Sequence, residues 1–186
     1  MNHIQQSAYI PKWARYFTAI VFIAAMFMRN DILLRASTYS PHDAGLFFRT
    51  VKYLLGGKWL GPYDNLTLAK GPLLSFLAAG ANVLGIPYKP MEFMIYLLIC
   101  LVVVVLVFRL SQSAVLMVAL FFFLAFNSSS WSVFGLVFMR EPLYLLTSLA
   151  VFGLTFWSLW LAGDFRQRLL FGVGSGVAFG LFWLTR

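Results

Sequence analysis

The sequence predicts an all-α, polytopic membrane helical bundle of about five to seven membrane helices, with a long first loop that carries an interfacial amphipathic helix. Two observations carry this. Hydrophobic residues make up 61% of the 186 residues and charged residues only 11%, against roughly 45–50% and 25% in a soluble domain, so the chain has too little polar surface to face water and is solvated mostly by lipid. The apolar residues also come in separate runs, with most of the basic residues between them or at their edges. Residues 1–186 read as one module, better counted in helices of about 20 residues each than in soluble domains. The formal net charge is +8. Placed at the edges of apolar runs, that charge favours anionic lipid or lipid-linked phosphate over nucleic acid, because no basic cluster stands free of the membrane segments.

In chain order, residues 1–12 form a short polar tail. The run 13–28, "WARYFTAIVFIAAMFM", reads as a retained first helix: it leads into Arg29, Asn30 and Asp31 without a small-residue cleavage pattern. Residues 29–70 are a polar interval rich in turn formers, and long ordered loops are more often functional than not. Within it, 44–56 reads as an amphipathic helix. Leu46, Phe47, Val51, Leu54 and Leu55 share a face, Arg49 and Lys52 oppose them, and Gly56 is a plausible stop. About a dozen residues are too few to cross, so the helix is expected to lie in the interface plane. A second helix is expected over 71–86, with Pro72 near its start. "PYKP" separates it from a third over 91–108, the most apolar run. Two shorter runs follow, 114–126 and 131–139, joined by "NSSS"; the second spans only about 14 Å as a helix, which leaves a shallow hairpin or two thin tilted helices. A further helix is expected over 142–163, then the charged turn "DFRQR", then a last helix over 169–184. There Gly172, Gly176 and Gly180, spaced by four, predict close helix packing. Cys100 lies mid-run and reads as a small buried apolar side chain.

Charge alone leaves the orientation open. Arg29, Arg35, Arg49, Lys52, Lys58 and Lys70 would draw the first loop to the cytoplasm by the positive-inside tendency, whereas Arg166 and Arg168 mark the 164–168 turn as cytoplasmic.

Three short stretches can carry chemistry. In "SPHDAG", Asp43 either caps the interfacial helix or serves as a general base at the membrane surface, and the two roles are compatible; His42 beside it makes neither a triad nor a metal set. In "LAKGPLL", Lys70 stands at the mouth of the second helix, as a lysine snorkelling to headgroups or as a cation at a helix end that already favours anions. In "MREPLYLLTSLAVF", Glu141 precedes Pro142 and is either an acid near the helix start paired with Arg140 or a second carboxylate on the face that carries Asp43.

The order of these stretches resembles the N-terminal module of a GT-C membrane glycosyltransferase, closest to the protein O-mannosyltransferase and aminoarabinose-transferase branch (glycosyltransferase family 39-like). A Lys-Pro-Pro-Leu-like motif is matched by Lys70, Pro72 and Leu73, with Gly71 in place of the first proline. An acid before a Leu-Leu-Thr run is matched by Glu141, Leu145, Leu146 and Thr147, and a Gly-Leu-x-x-Leu-Thr-Lys-like end by Gly180, Leu181, Leu184, Thr185 and Arg186. The mannosyltransferase branch has Asp-Glu where this chain has Asp43-Ala44, so protein mannosylation is not expected. The resemblance implies transfer of a sugar from a polyprenyl-phosphate donor to an acceptor hydroxyl. Asp43 and Glu141 would be catalytic, Lys70, Arg140 and Arg186 would bind the donor phosphate, and His42, Arg49 and Lys52 would support them. It implies the bacterial inner membrane, a cytoplasmic 1–12 tail and an extracytoplasmic first loop. Some relatives bind a divalent metal; this sequence requires no cofactor. Family members continue with further helices, so a second membrane chain supplying them is an expected partner. The alternative expectation is a non-catalytic membrane subunit, scaffold or lipid-binding protein derived from such an enzyme.

Overall fold

The structure, a computed structural model, describes residues 9–29, 43–59, 61, 71–127 and 140–185. Every regular element among them is helical: α1 Lys12–Arg29, α2 Asp43–Leu55, α3 Leu73–Val83, α4 Tyr88–Ser111, α5 Ala114–Ala125, α6 Glu141–Phe156 and α7 Phe165–Leu184, with a π-helical turn, Trp157–Leu161, closing α6. Three stretches are long and apolar enough to cross a membrane: Tyr88–Ser111, Glu141–Leu161 and Phe165–Leu184. The chain is thus an all-helical protein with membrane-spanning helices.

The central element is α4. Past its first turn, 93–108 is apolar on every side, as suits a helix with neighbours on several faces and lipid on the rest. One core is built along it, with Ala14, Val21 and Ala25 of α1, Leu97, Cys100 and Val104 of α4, Met117 and Phe121 of α5, and Leu146 of α6. Its start packs against the end of α1, where the Arg29 guanidinium lies 4.2 Å from the centre of the Phe93 ring. Its end turns directly into α5. Gln112 takes the left-handed conformation (φ 57°), and Ser113 caps α5 by accepting the Leu116 amide, so two residues reverse the chain. Helix α5 runs back along α4 until the Tyr96 hydroxyl donates to the Leu124 carbonyl at 2.9 Å. Such interhelical hydrogen bonds hold helices together where lipid supplies no hydrophobic drive.

Helices α1 and α4 are therefore antiparallel, and the chain leaves α1 and enters α4 at the same end. The expected crossing over 71–86 is replaced by the shorter α3, whose 11 residues reach about 16 Å, half of the roughly 30 Å hydrocarbon core. Gly85 (φ 67°) stops it: the Gly85 amide donates to the Asn82 carbonyl and the Ile86 amide to Ala81, a Schellman ending. The same device ends α2. Gly57, one residue beyond the expected stop, takes the left-handed turn, while the Lys58 amide reaches the Tyr53 carbonyl at 2.8 Å. Helix α2 covers 43–55, close to the expected 44–56, and packs on α3.

Helices α6 and α7 form an antiparallel hairpin. The seam on α7 runs through Phe171, Ser175, Ala178, Phe182 and Thr185, alternating steps of four and three as in coiled-coil packing. Phe171 stacks with Trp157, Ser175 bonds Thr155, and Phe182 meets the edge of Tyr144. Of the predicted stripe Gly172–Gly176–Gly180 only the first member packs closely, an added Cβ at Gly172 sitting 3.4 Å from Ser158 Oγ, while space around Gly176 and Gly180 is open to 4 Å, because a strict spacing of four drifts off a seam that needs an average of 3.5. The close approach of α4 and α6 instead uses Gly153, whose added Cβ would sit 3.4 Å from Val103 Cγ2. The run 131–139 lies outside the described residues.

Gly153→Leu should therefore push α6 off α4 and cost about 1–3 kcal/mol, the usual penalty of overpacking, whereas Gly176→Leu should cost nothing measurable. Thermal unfolding in matched detergent separates them; equal behaviour of the two variants would show that α6 does not pack on α4 through Gly153.

Candidate functional site

Four helix starts gather at the end where α1 terminates. Phe47 of α2, Leu73 and Leu74 of α3, Tyr88 of α4 and Leu143 of α6 form one buried cluster, joined by Ala81. The Ser75 hydroxyl donates to the Phe47 carbonyl at 3.3 Å, which locks α3 to α2. Three of the four starts, those of α2, α3 and α6, carry or follow a residue singled out by the sequence. Asp43 opens α2, one turn before Phe47. Gly71 and Pro72 lead into Leu73. Glu141 opens α6, two residues before Leu143, with Pro142 in the first turn, where a missing N–H goes unused. His42, Lys70 and Arg186 lie outside the described residues.

Arg140 is the N-cap residue of α6. Its guanidinium stands 5.7 Å from the Tyr144 ring centre, and Tyr144 in turn meets Phe182 edge-on at 5.7 Å between ring centres. Thr185, 2% exposed, ends α7 one turn beyond, its hydroxyl donating to the Phe182 carbonyl at 2.6 Å. Glu141 itself is exposed, Arg49 half-buried and Lys52 exposed on α2. Below Arg140, between α6 and α7, lies an apolar groove of about 420 Å³ lined by Ser148, Phe152, Thr155, Phe156, Phe179 and Phe182. It begins about 12 Å down the helix from Arg140.

The sequence reading passed over the first turn of α4. The Glu92 carboxylate accepts the Tyr88 hydroxyl at 2.9 Å and the Lys89 ammonium at 2.7 Å, and the Lys89 and Glu92 side chains are only 4% and 8% exposed. Tyr88 belongs to the cluster of helix starts, so the ion pair lies directly behind that cluster. Nearby, the Asn127 amide donates to the Tyr96 hydroxyl at 2.8 Å. The signal was present in "YKPMEF": Tyr88, Lys89 and Glu92 fall on one helical face once the helix is begun at Tyr88. Pro90 is compatible with that start because the first helical amides have no intrahelical acceptor. Chemically the arrangement supplies a carboxylate already committed to two donors, suited to holding geometry rather than to moving a proton. Among the described residues no group of three His, Cys, Asp or Glu side chains is gathered to hold a metal ion.

Compared with known protein families, curated proteins and solved structures, the chain finds no match.

Removing one partner of a buried pair strands the other charge and typically costs about 3–5 kcal/mol, whereas replacing both by apolar residues is often neutral. Glu92→Ala should accordingly lower the unfolding temperature sharply, and Lys89→Met/Glu92→Leu should restore most of the loss. A double variant as unstable as Glu92→Ala would mean that the pair does more than neutralise itself.

Proposed function

We propose that the chain is the N-terminal membrane module of a GT-C-type glycosyltransferase. It would transfer a sugar from a polyprenyl-phosphate donor to an acceptor hydroxyl at the extracytoplasmic face of the bacterial inner membrane. The observation that supports this most is the gathering of the starts of α2, α3 and α6 in one buried cluster, since those starts carry or follow Asp43, Lys70 and Glu141. Helix N-termini favour anions, and a donor phosphate brings one. In this reading α1, α4, α6 and α7 are traverses, the 12-residue α5 begins the return along α4 toward the first-loop side, α2 is the interfacial helix of an extracytoplasmic first loop, and α3 stays on that side with it.

Asp43 takes the proton of the acceptor hydroxyl as its oxygen bonds the anomeric carbon and the sugar–phosphate bond breaks. The leaving phosphate gains negative charge as that bond lengthens, and Lys70, Arg140 and Arg186 neutralise it where it develops. Glu141 supports Asp43 as the second carboxylate, and His42, Arg49 and Lys52 add support to both. The lipid tail has a seat in the groove below Arg140, whose aromatic walls continue from Tyr144 through Phe182.

One observation favours the alternative, a non-catalytic subunit of such an enzyme working with a second membrane chain. Among its described residues α7 buries only Ala178, which leaves Leu170, Val173, Val177 and Trp183 open to lipid or to further helices.

Titration of polyprenyl phosphate against wild type, Lys70→Arg and Lys70→Gln in matched detergent tests the site. A charge-assisted bond is worth about 1.5–3 kcal/mol, so the Gln variant should bind roughly tenfold to a hundredfold more weakly and the Arg variant should lose less. Asp43→Asn should bind the donor normally and transfer no sugar. Equal affinity in all three Lys70 forms would reduce that lysine to an interfacial anchor, and turnover by Asp43→Asn would remove Asp43 from the chemistry.

A further inference from the structure

We propose that the groove between α1 and α4, at the end of the bundle away from the helix starts, is a binding site for one anionic phospholipid, with its phosphate at Arg15, its ester carbonyl at Thr18 and one acyl chain in the groove. The groove holds about 410 Å³ and is walled by Ala19 and Phe22 of α1, Leu98 and Val105 of α4, and Met117 of α5. Its flanks face outward, with Ile23 66% and Leu98 48% exposed, so a lipid can enter from the side.

Two polar residues break the apolar lining, and both face it from α1. Thr18 is 8% exposed, yet its Oγ1 is buried without a hydrogen-bond partner. A buried hydroxyl left unpaired is costly, and a rotation of the Thr18 side chain that turns Oγ1 to an acceptor in the groove removes the cost. Arg15 is exposed and held in place by its donation to the Tyr9 hydroxyl, with its guanidinium 4.5 Å from the Tyr9 ring centre. A guanidinium has five N–H donors in a fork suited to phosphate, so that one bond leaves capacity for a ligand. Lys12 opens α1 one turn away and Arg109 lies in the last turn of α4, at the same end because the two helices are antiparallel. The mouth of the groove is thus cationic.

The order along α1 matches the order of groups in a glycerophospholipid. Arg15, Thr18 and Phe22 succeed one another by one turn each, about 5 Å: phosphate, then ester carbonyl, then chain. A zwitterionic headgroup would bring its own cation to the Arg15, Lys12 and Arg109 mouth, so the charge pattern selects an anionic lipid.

The full chain, purified in detergent and stripped of lipid, should be titrated with phosphatidylglycerol and with phosphatidylcholine of the same acyl chains, and the bound species counted by native mass spectrometry. Wild type should retain one phosphatidylglycerol per chain with about tenfold preference over phosphatidylcholine. Arg15→Gln should bring that preference to about unity. Thr18→Val should weaken both lipids by about threefold, and Ala19→Phe, which fills the groove, should abolish retention of both. Circular dichroism and gel filtration establish that each variant is folded; the exposed Arg15→Gln change suffices if Ala19→Phe is not. Equal retention of the two lipids by wild type, an unchanged preference in Arg15→Gln, or a dimer of the chain that forms as lipid is lost would each overturn the proposal.

Discussion

Burying the Lys89–Glu92 pair in the first turn of α4 is the constraint on which the upper end of the structure depends. An ion taken out of water carries a penalty of several kcal/mol even after relaxation, repaid only when geometry is good and the remaining polar atoms are satisfied. Here each carboxylate oxygen has its own donor, Tyr88 for one and Lys89 for the other. That requirement fixes where α4 begins, because Tyr88 and Lys89 reach Glu92 together only from a helical turn. It also fixes the neighbours. Tyr88 buries its ring in the cluster of helix starts, and Phe93, one residue past Glu92, lies against Arg29 of α1.

From that anchor the division of the molecule follows. The rest of α4 is apolar on every side and accepts α1, α5 and α6 against it. The polar and charged residues are left to the two ends, where backbone and side-chain groups can find water or headgroups that the bilayer core lacks. At one end the starts of α2, α3, α4 and α6 meet. At the other, α1 begins, α4 turns into α5, and Asp164 caps α7 by accepting the Gln167 amide at 2.7 Å. The two ends are chemically unlike. One buries the Lys89–Glu92 pair behind a covered cluster; the other presents Arg15 at the mouth of an apolar groove.

Much of the architecture was legible because apolar run length is a strong signal in a chain solvated by lipid. The spans of α1, α2, α5 and α7 fall within a few residues of their sequence-based bounds, and α2 could be assigned as too short to cross from its amphipathic pattern alone. What was hidden depended on tertiary context. Two prolines in "PYKP" suggested a break, but Pro87 is the N-cap residue and Pro90 sits in the first turn, where neither interrupts a hydrogen bond. Glu92 attracted no role because its partners become visible only when that turn is helical. The 71–86 run looked long enough to be a membrane helix until Gly85 ended it early, and only Gly172 of the α7 glycine stripe packs closely, because packing follows the heptad-like seam rather than the most regular spacing of small residues. For the candidate site, the order of "HDAG", "KGPLL" and "REPLY" marked three helix starts. That the starts of α2, α3 and α6 share a cluster with Tyr88 could be learned only from the fold.

The proposed site requires that α2 and α3 lie on one face of the membrane, the face that also carries the start of α6. On a Cys100→Ser background, single cysteines at Lys58, Asn82 and Glu141 should react with a membrane-impermeant thiol reagent from one side, and cysteines at Gln112 and Gly163 only from the other. All five positions are exposed on the protein surface. Labelling of Asn82→Cys from the side of Gln112→Cys would contradict it, since α3 would then cross and the helix starts would not share a face.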